Sequence, residues 1–437
     1  MERKQSRWET SLILLAILLI GLSFRVVGLG WGEGQPIHPD EEFLRQVTAA
    51  VSWPDSLSLY LDTARSPLNP YNRGYGFFVY GTLPLFLTRA VGEALDQGCR
   101  NGEAVSLPAR LLAPLLLGTP SACWPGSFSG AGARHLGRLL AALLDTGSIL
   151  FVFLAGRRLG AGYGKGISGP SLGLLAAALY ALAVLPIQQS HFYTVDAYAN
   201  FFVAVTIYLA LCLAGQPSGG QPVGAGLAPA LPYIYAFLAG LTTGLGVACK
   251  ISVWPLGLLV GLAALLRALR PAPCALRPAT CDLRPATCDL RRAALRLLLL
   301  GFLALLGAFL AFRLAQPYAF LGPGLFGLRL NPQWLQNMAE VRGLMSGAVD
   351  TYPGHQWTNR LPLVFPWVNM VFWGLGLPLG LTAWAGWGVA AVRLGCRWRR
   401  EGLATLAGDP VLLPWLWATG YFLYQGTQWV KSVRYLL

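Results

Sequence analysis

Residues 11–29, SLILLAILLIGLSFRVVGL, form an apolar run as long as a helix needs to cross a bilayer, about 20 residues at 1.5 Å rise each. Comparable runs recur to the end of the chain. Hydrophobic residues make up 55% of the sequence, charged ones only 12%, and the mean hydropathy is +0.52, so a soluble core is the wrong frame. The fold class expected is an all-α polytopic membrane protein. A net charge of +14 raises nucleic acid as a partner. Its arginines and lysines, however, cluster in short segments between apolar runs and form no continuous basic face, which is a topology signal and excludes that class.

Candidate spans follow the first near 136–156, 171–188, 198–214, 231–249, 252–268, 295–315, 366–393 and 410–427, about nine in all. The basic tail MERKQSR places the N-terminus in the cytoplasm, and the run after it, with no small-residue cleavage site, reads as an anchor. Arg157, Arg158 and Lys165, the seven arginines from Arg267 to Arg296, and CRWRR at 396–400 belong on that same side. The alternation then makes 30–135 one long first extracytoplasmic loop, 269–294 a basic cytoplasmic repeat linker and 316–362 a second extracytoplasmic loop, all within a single transmembrane domain, 1–437. Inside the first loop, 76–95 carries Pro84, Arg89 and Glu93. A charge at mid-bilayer costs about 2.5–3.5 kcal/mol on insertion scales, so this stretch is expected to lie in the interface or to dip in and return beside 107–118.

The linker contains RPATCDL twice in tandem, and the seven-residue spacing of Cys274, Cys281 and Cys288 is inherited from that repeat, so it does not mark a zinc site. Cys99 and Cys123 share the first loop and are a candidate pair in an oxidising compartment.

This topology gathers the polar residues on one face. IHPDEEFLRQ at 37–46 follows a Gly- and Pro-rich approach, and Pro39 suits the first turn of a short helix with Asp40, Glu41 and Glu42 at its positive end. Such carboxylates serve as a general base or simply as a solvated helix start. SHFYTVDAY places Asp196 at the mouth of the 198–214 span, where Thr194 or Asp196 is also a candidate helix cap. Lys250, Lys431 and Arg434 are positive charges on the outer face, against the charge bias; binding a lipid phosphate accounts for them, as does snorkelling to head groups. Arg313-Leu-Ala-Gln-Pro-Tyr318 ends a span, ahead of the amphipathic stretch NPQWLQNMAEVRGLMSG.

Taken in order on one face, IHPDE after the first span, SHFYTVDAYANFF, QPY and a terminal K..RY resemble the GT-C superfamily. The nearest likeness is to phospholipid-carrier-dependent glycosyltransferases of family 39, with protein O-mannosyltransferases and aminoarabinose transferases as cousins. The resemblance runs from about residue 11 to 437. It implies a GT-C-like bundle with interfacial helices in the first loop, and transfer of a sugar from a polyprenyl-phosphate donor to an acceptor protein, lipid or glycan. It further implies inversion at the anomeric carbon, a multi-pass location in the plasma (inner) membrane and an active site facing the extracytoplasmic side. By the same likeness Asp40 is the catalytic base or acceptor-orienting acid, Glu41 supports it and Asp196 is the second acid. Lys250, Lys431 and Arg434, with His38, His191 and Tyr318, hold the carrier phosphate and substrate. No cofactor is expected, although His38, Asp40, Glu41 and Asp196 are a conceivable divalent-cation set. Two departures stand out: 97–134 reads as an insertion, and the chain stops at RYLL where that family continues, so further C-terminal spans are expected. The rival classes are a polyprenyl-lipid transporter or flippase and a non-catalytic lipid-binding membrane protein. Nearly charge-free spans with acids at one surface favour the enzyme over the transporter.

Overall fold

The structure is a computed structural model describing residues 7–32, 35, 37–100, 130–160, 168–215, 230–270, 286–402 and 406–436. The 107–118 stretch, Cys123 and with it the Cys99–Cys123 pair, and Cys274 and Cys281 lie outside what is described. The main helices are α1 (Arg7–Val26), α2 (Pro39–Ala50), α3 (Thr82–Arg100), α4 (Gly130–Gly160), α5 (Gly169–Ala181), α6 (Val184–Ser190) and α7 (Val195–Leu213). They are followed by α8 (Leu231–Cys249), α9 (Leu256–Ala268), α10 (Ala286–Ala315), α11 (Pro332–Ser346), α12 (Leu377–Glu401) and α13 (Leu412–Gly426). Among the described residues extended pairing is limited to one isolated bridge, Phe320 with Leu330. The protein is an all-α, multi-pass integral membrane protein.

Among the described residues six helices are long and apolar enough to cross a membrane: α1, α4, α7, α8, α9 with the turn before it, and α10. Counting α5 and α6 as one bent span makes seven, short of the nine expected. Each difference has a local cause. The 171–188 run bends by 57° between α5 and α6, because Pro186 has no N–H to give and its ring collides with the carbonyl four residues back. The 366–393 run is interrupted at Gly374 and Gly376, the latter at φ 80°, and α12 continues instead into Arg393, Arg397, Arg399 and Arg400. The 410–427 run yields the 15-residue α13, about 22 Å long against a hydrocarbon core of about 30 Å.

The spans are also not charge-free. Arg25 of α1 and Asp145 of α4, both fully buried, pair at 2.6 Å, and Tyr180 of α5 donates to the same carboxylate at 2.6 Å. A lone charge there would be costly, and pairing with further hydrogen bonds is what makes it tolerable.

Small residues set the tightest helix contact. A Cβ added to Gly240 or Gly244 of α8 would come within 1.9 Å of the Ala304 carbonyl oxygen or 2.3 Å of the Ala308 carbonyl oxygen of α10, so the two backbones touch along a small-xxx-small stripe. Gly240→Val is therefore expected to lower the apparent melting temperature in detergent by several degrees, the overpacking cost being about 1–3 kcal/mol. Gly257→Val, where a Cβ meets open space, is the control and leaves it unchanged. Equal midpoints for the two variants would remove this account of the α8–α10 contact.

In the first loop the helix begins at Thr82, so residues 76–80 belong to no helix and Pro84 sits in the first turn, where its missing N–H is harmless. α3 packs against α2 and α4, and Arg89 and Glu93 pair with each other at 2.5 Å. Thr82 is tied to the end of α10, its N–H donating to Gln316 Oε1 at 2.6 Å. These ties bring the first loop onto the Cys249 end of α8 and the Ala315 end of α10.

Candidate active site

The acidic cluster starts α2 as the sequence suggested, with Pro39 at the first helical position, His38 as N-cap and all three acids in the first turn. Successive residues of a helix point about 100° apart, so three neighbouring carboxylates must serve three directions. Asp40 faces a cavity and accepts from Arg434 Nη1 at 2.6 Å. Glu41 turns into the bundle, where Arg138 of α4 grips both its oxygens at 2.7 and 2.6 Å and the Tyr193 N–H donates to it at 2.7 Å. Glu42 takes Arg45 at 2.5 Å and Arg134 at 2.8 Å.

Asp196 is the second residue of α7, placed there by the turn at 191–194 and the extended N-cap Thr194 (φ −128°, ψ 166°). Thr194 is the N-cap, but its hydroxyl makes no cap bond, and Asp196 accepts from Lys250 Nζ at 2.5 Å instead of capping. Lys250 reaches it from the corner between α8 and α9, where an extended backbone (φ −149°, ψ 113°) ends α8. Gly81 lets the first loop press on that corner: its N–H donates to the Cys249 carbonyl at 3.1 Å, and a Cβ would lie 2.0 Å from the Ala248 oxygen. Tyr80 is thereby seated beside Asp40, and burial, followed by that carboxylate, pushes its phenol well above the usual range.

These groups line one cavity of about 800 Å³. Asp40, Asp196, Lys250 and Arg434 form two cross-chain ion pairs on its wall, and the Tyr435 ring lies 4.3 Å from Lys250 Nζ. α11 supplies the facing wall with Trp334, Met338, Met345 and Arg342. Arg342 is exposed and, among the described residues, makes no hydrogen bond or ion pair. The charged side chains lining the cavity are thus two carboxylates and three cations, an excess of one positive charge.

Of the nine residues expected at the site, Asp40, Asp196, Lys250 and Arg434 line the cavity, and His38 stands behind it, its Nε2 accepting from Arg434 Nη1 at 3.1 Å. The other four do not line it. Glu41 is 1% exposed and fully engaged by Arg138 and Tyr193. Lys431 is buried with its ammonium on the Trp429 carbonyl at 3.0 Å. His191 is spent tying the loop before α7 to the end of α1, its ring nitrogens 2.8 and 2.9 Å from the Ile187 and Val27 carbonyls. Tyr318 is buried against Tyr60 and Phe86, its hydroxyl 2.7 Å from that of Ser66. Sequence reasoning missed Arg138 and Arg342. The first was hidden inside a run read as a span, although Arg134 and Arg138, four apart on one helix face, were the available signal. Among the described residues no three His, Cys, Asp or Glu side chains are placed to share a metal ion.

Burial, and next the Arg434 cation, lower the His38 pKa from its ordinary value, so the fold holds the imidazole neutral with Nε2 as acceptor. A His with a depressed folded pKa contributes stability that is fully present above about pH 6.5 and is lost as pH falls through the folded value. The apparent melting temperature should therefore decline as pH drops below about 6.5, and His38→Gln should remove that limb of the titration. A limb that survives in His38→Gln belongs to another group.

No protein-family model matches the sequence, and no curated protein is similar to it. Among solved structures, the chain is similar to the Saccharomyces cerevisiae protein O-mannosyltransferase Pmt1–Pmt2 complex bound to the sugar donor. The TM-score is 0.42 and the identity 17%, over 72% of this chain and 35% of that one. It is also similar to the oligosaccharyltransferase AglB of Archaeoglobus fulgidus in complex with an inhibitory peptide and a dolichol-phosphate. There the TM-score is 0.49 and the identity 14%, over 98% of this chain and 50% of that one. An Archaeoglobus fulgidus oligosaccharyltransferase tethered to an acceptor peptide gives 0.47 and 14%, over 99% and 48%. The chain spans between about a third and a half of the length of these proteins.

Proposed function

We propose that the protein is a membrane glycosyltransferase that moves a sugar from a polyprenyl-phosphate donor to an acceptor hydroxyl or amide at the extracytoplasmic surface of the plasma membrane. The observation that carries this reading is the cavity itself: two carboxylates, each held by a cation from a distant part of the chain, and a third cation left without a partner. A phosphodiester donor brings one negative charge, which matches the excess on the wall. The apolar residues of α11 and Trp254 offer a surface for the carrier chain.

In this mechanism the Asp40 carboxylate, oriented by Arg434, accepts the proton of the acceptor. The acceptor heteroatom forms its bond to the anomeric carbon as the bond from that carbon to the phosphate oxygen breaks, with inversion. The carrier phosphate departs with the electron pair. Arg342 pairs throughout with the charge the donor carries from the start, and Lys250 and Arg434 meet the charge that develops on the leaving phosphate. Asp196 keeps Lys250 in place and limits how far that cation moves toward the phosphate. Carrier phosphate is a good leaving group already, so most of the acceleration comes from position and fixed charge.

Because Arg342 touches the donor in both the ground and transition states, Arg342→Ala should raise KM for the donor by about tenfold with kcat within a few-fold of the wild type. The assay is donor consumption in proteoliposomes as donor is varied. A loss confined to kcat would remove Arg342 from donor binding. The transporter reading predicts movement of the lipid with no donor consumed, so the same vesicles separate the two classes.

A further inference from the structure

A second cavity, of about 380 Å³, lies between α4, α7, α12 and α13. Its wall is largely apolar, with Trp384, Trp387 and Trp417 among its aromatic residues. The two cavities stack along α7. Asp196 lines the first and Asn200, one turn further on the same helix face, lines the second. Tyr421 stands between them: its ring borders the second cavity, while its hydroxyl accepts at 3.2 Å from Gln425, which borders the first.

The second cavity has one polar corner. Asn200 Nδ2 donates to Asp145 Oδ1 at 3.2 Å and to the Tyr180 hydroxyl, which itself donates to Asp145. A carboxylate can only accept, so the amide nitrogen faces it and the amide oxygen faces away. Arg25 locks Asp145 from behind, which leaves this orientation no alternative. Among the described residues Asn200 Oδ1 receives no hydrogen bond. Among the described residues the chamber therefore offers a largely apolar wall and, in Asn200 Oδ1, an acceptor without a partner.

We propose that this cavity binds the acyl chain of a membrane amphiphile that carries a hydrogen-bond donor, an amide N–H or a hydroxyl, near its head. An isoprenoid chain has no donor, nor has a phosphatidylcholine, and either would leave Asn200 Oδ1 unanswered in an apolar surrounding. An occupant bonded to Asn200 has its head about 6 Å along the helix, at the level of Asp196 and the first cavity.

The test is photolabelling of the full chain in nanodiscs with a sphingomyelin bearing a diazirine in its acyl chain, compared with a phosphatidylcholine bearing the same chain and the same head group but no donor, followed by peptide mapping. The sphingomyelin is expected to label the segments around Ala204 and Ala418 about three- to tenfold more than the phosphatidylcholine, the range one hydrogen bond supports. Asn200→Leu should erase that preference. Ala418→Phe should lower labelling by both probes by filling the cavity, with Ala204→Phe as the alternative if the first does not fold. Equal labelling by the two probes in the wild type overturns donor recognition. Labelling confined to the exposed face of α10, at Leu298, Phe302 and Leu305, overturns the site. Neither result depends on turnover, so a failure of sugar transfer and a failure of this proposal are read separately.

Discussion

Asp40→Asn is expected to lower sugar transfer by roughly 10²- to 10⁴-fold, the usual contribution of a positioned general base. The substitution is close to isosteric: the amide keeps an oxygen for Arg434, so the 2.6 Å contact between α2 and the chain near its end is replaced by a weaker one of the same shape. What disappears is the negative charge and the ability to take a proton. Asp40 is only partly buried, with 22% of its side chain exposed, so the change leaves no stranded charge deep in the protein apart from Arg434, itself 21% exposed. Folding should therefore survive, and the loss should fall on kcat with donor affinity nearly unchanged. The measurement is turnover of the lipid-linked sugar in proteoliposomes at matched amounts of folded protein. Wild-type rates in Asp40→Asn would place the base elsewhere, with Asp196 the next carboxylate on the same wall.

Much of this arrangement was legible in the sequence, and the parts that were not share a reason. Pro39 ahead of three acids announced a helix start, and helix geometry alone then required the acids to diverge. Lys250 and Arg434 stood out because they broke the charge bias, and the structure gives each a carboxylate partner on the cavity wall. The pairing itself could not be read: Lys250 and Asp196 lie 54 residues apart and Arg434 and Asp40 lie 394 apart, separations over which periodicity carries no information. Position against the charge bias was also not sufficient, since Lys431 met the same criterion and is buried against a carbonyl away from the cavity. Arg342 went unremarked inside an amphipathic stretch, where one exposed arginine is ordinary and only the absence of a partner marks it. The count of nine is not reached where hydropathy averaged over breaks: Pro186 interrupts one run, and Gly374 with Gly376 another, without changing the mean. Asp145 and Arg25 were overlooked for the opposite reason, being single charges inside long apolar runs that hide each other by pairing.

The second large effect is expected at Arg138. Arg138→Leu removes the main partner of a buried ion pair and leaves Glu41, 1% exposed, with the Tyr193 N–H and, at 4.0 Å, the Arg134 guanidinium, which lies beyond hydrogen-bond distance. Breaking such a pair from one side costs about 3–5 kcal/mol, most of it the price of an uncompensated carboxylate, whereas replacing both members by apolar or neutral groups is often close to neutral. Arg138→Leu should therefore unfold at a markedly lower temperature, and Glu41→Met/Arg138→Leu should recover most of the loss. Arg138→Lys should fall between them, because an ammonium keeps the charge but cannot span both carboxylate oxygens or reach the Leu29 and Trp31 carbonyls that Arg138 also holds. The activity of the double variant is the sharper readout. Glu41 follows Asp40 directly and takes the N–H of Tyr193, three residues before Asp196, so its pair with Arg138 ties both acids of the cavity to α4. A recovered melting temperature with a depressed kcat would mean that the pair positions the two carboxylates. Recovery of both would mean that it only holds the bundle together, and an unchanged melting temperature in Arg138→Leu would overturn the account of Glu41 as an acid that needs its partner.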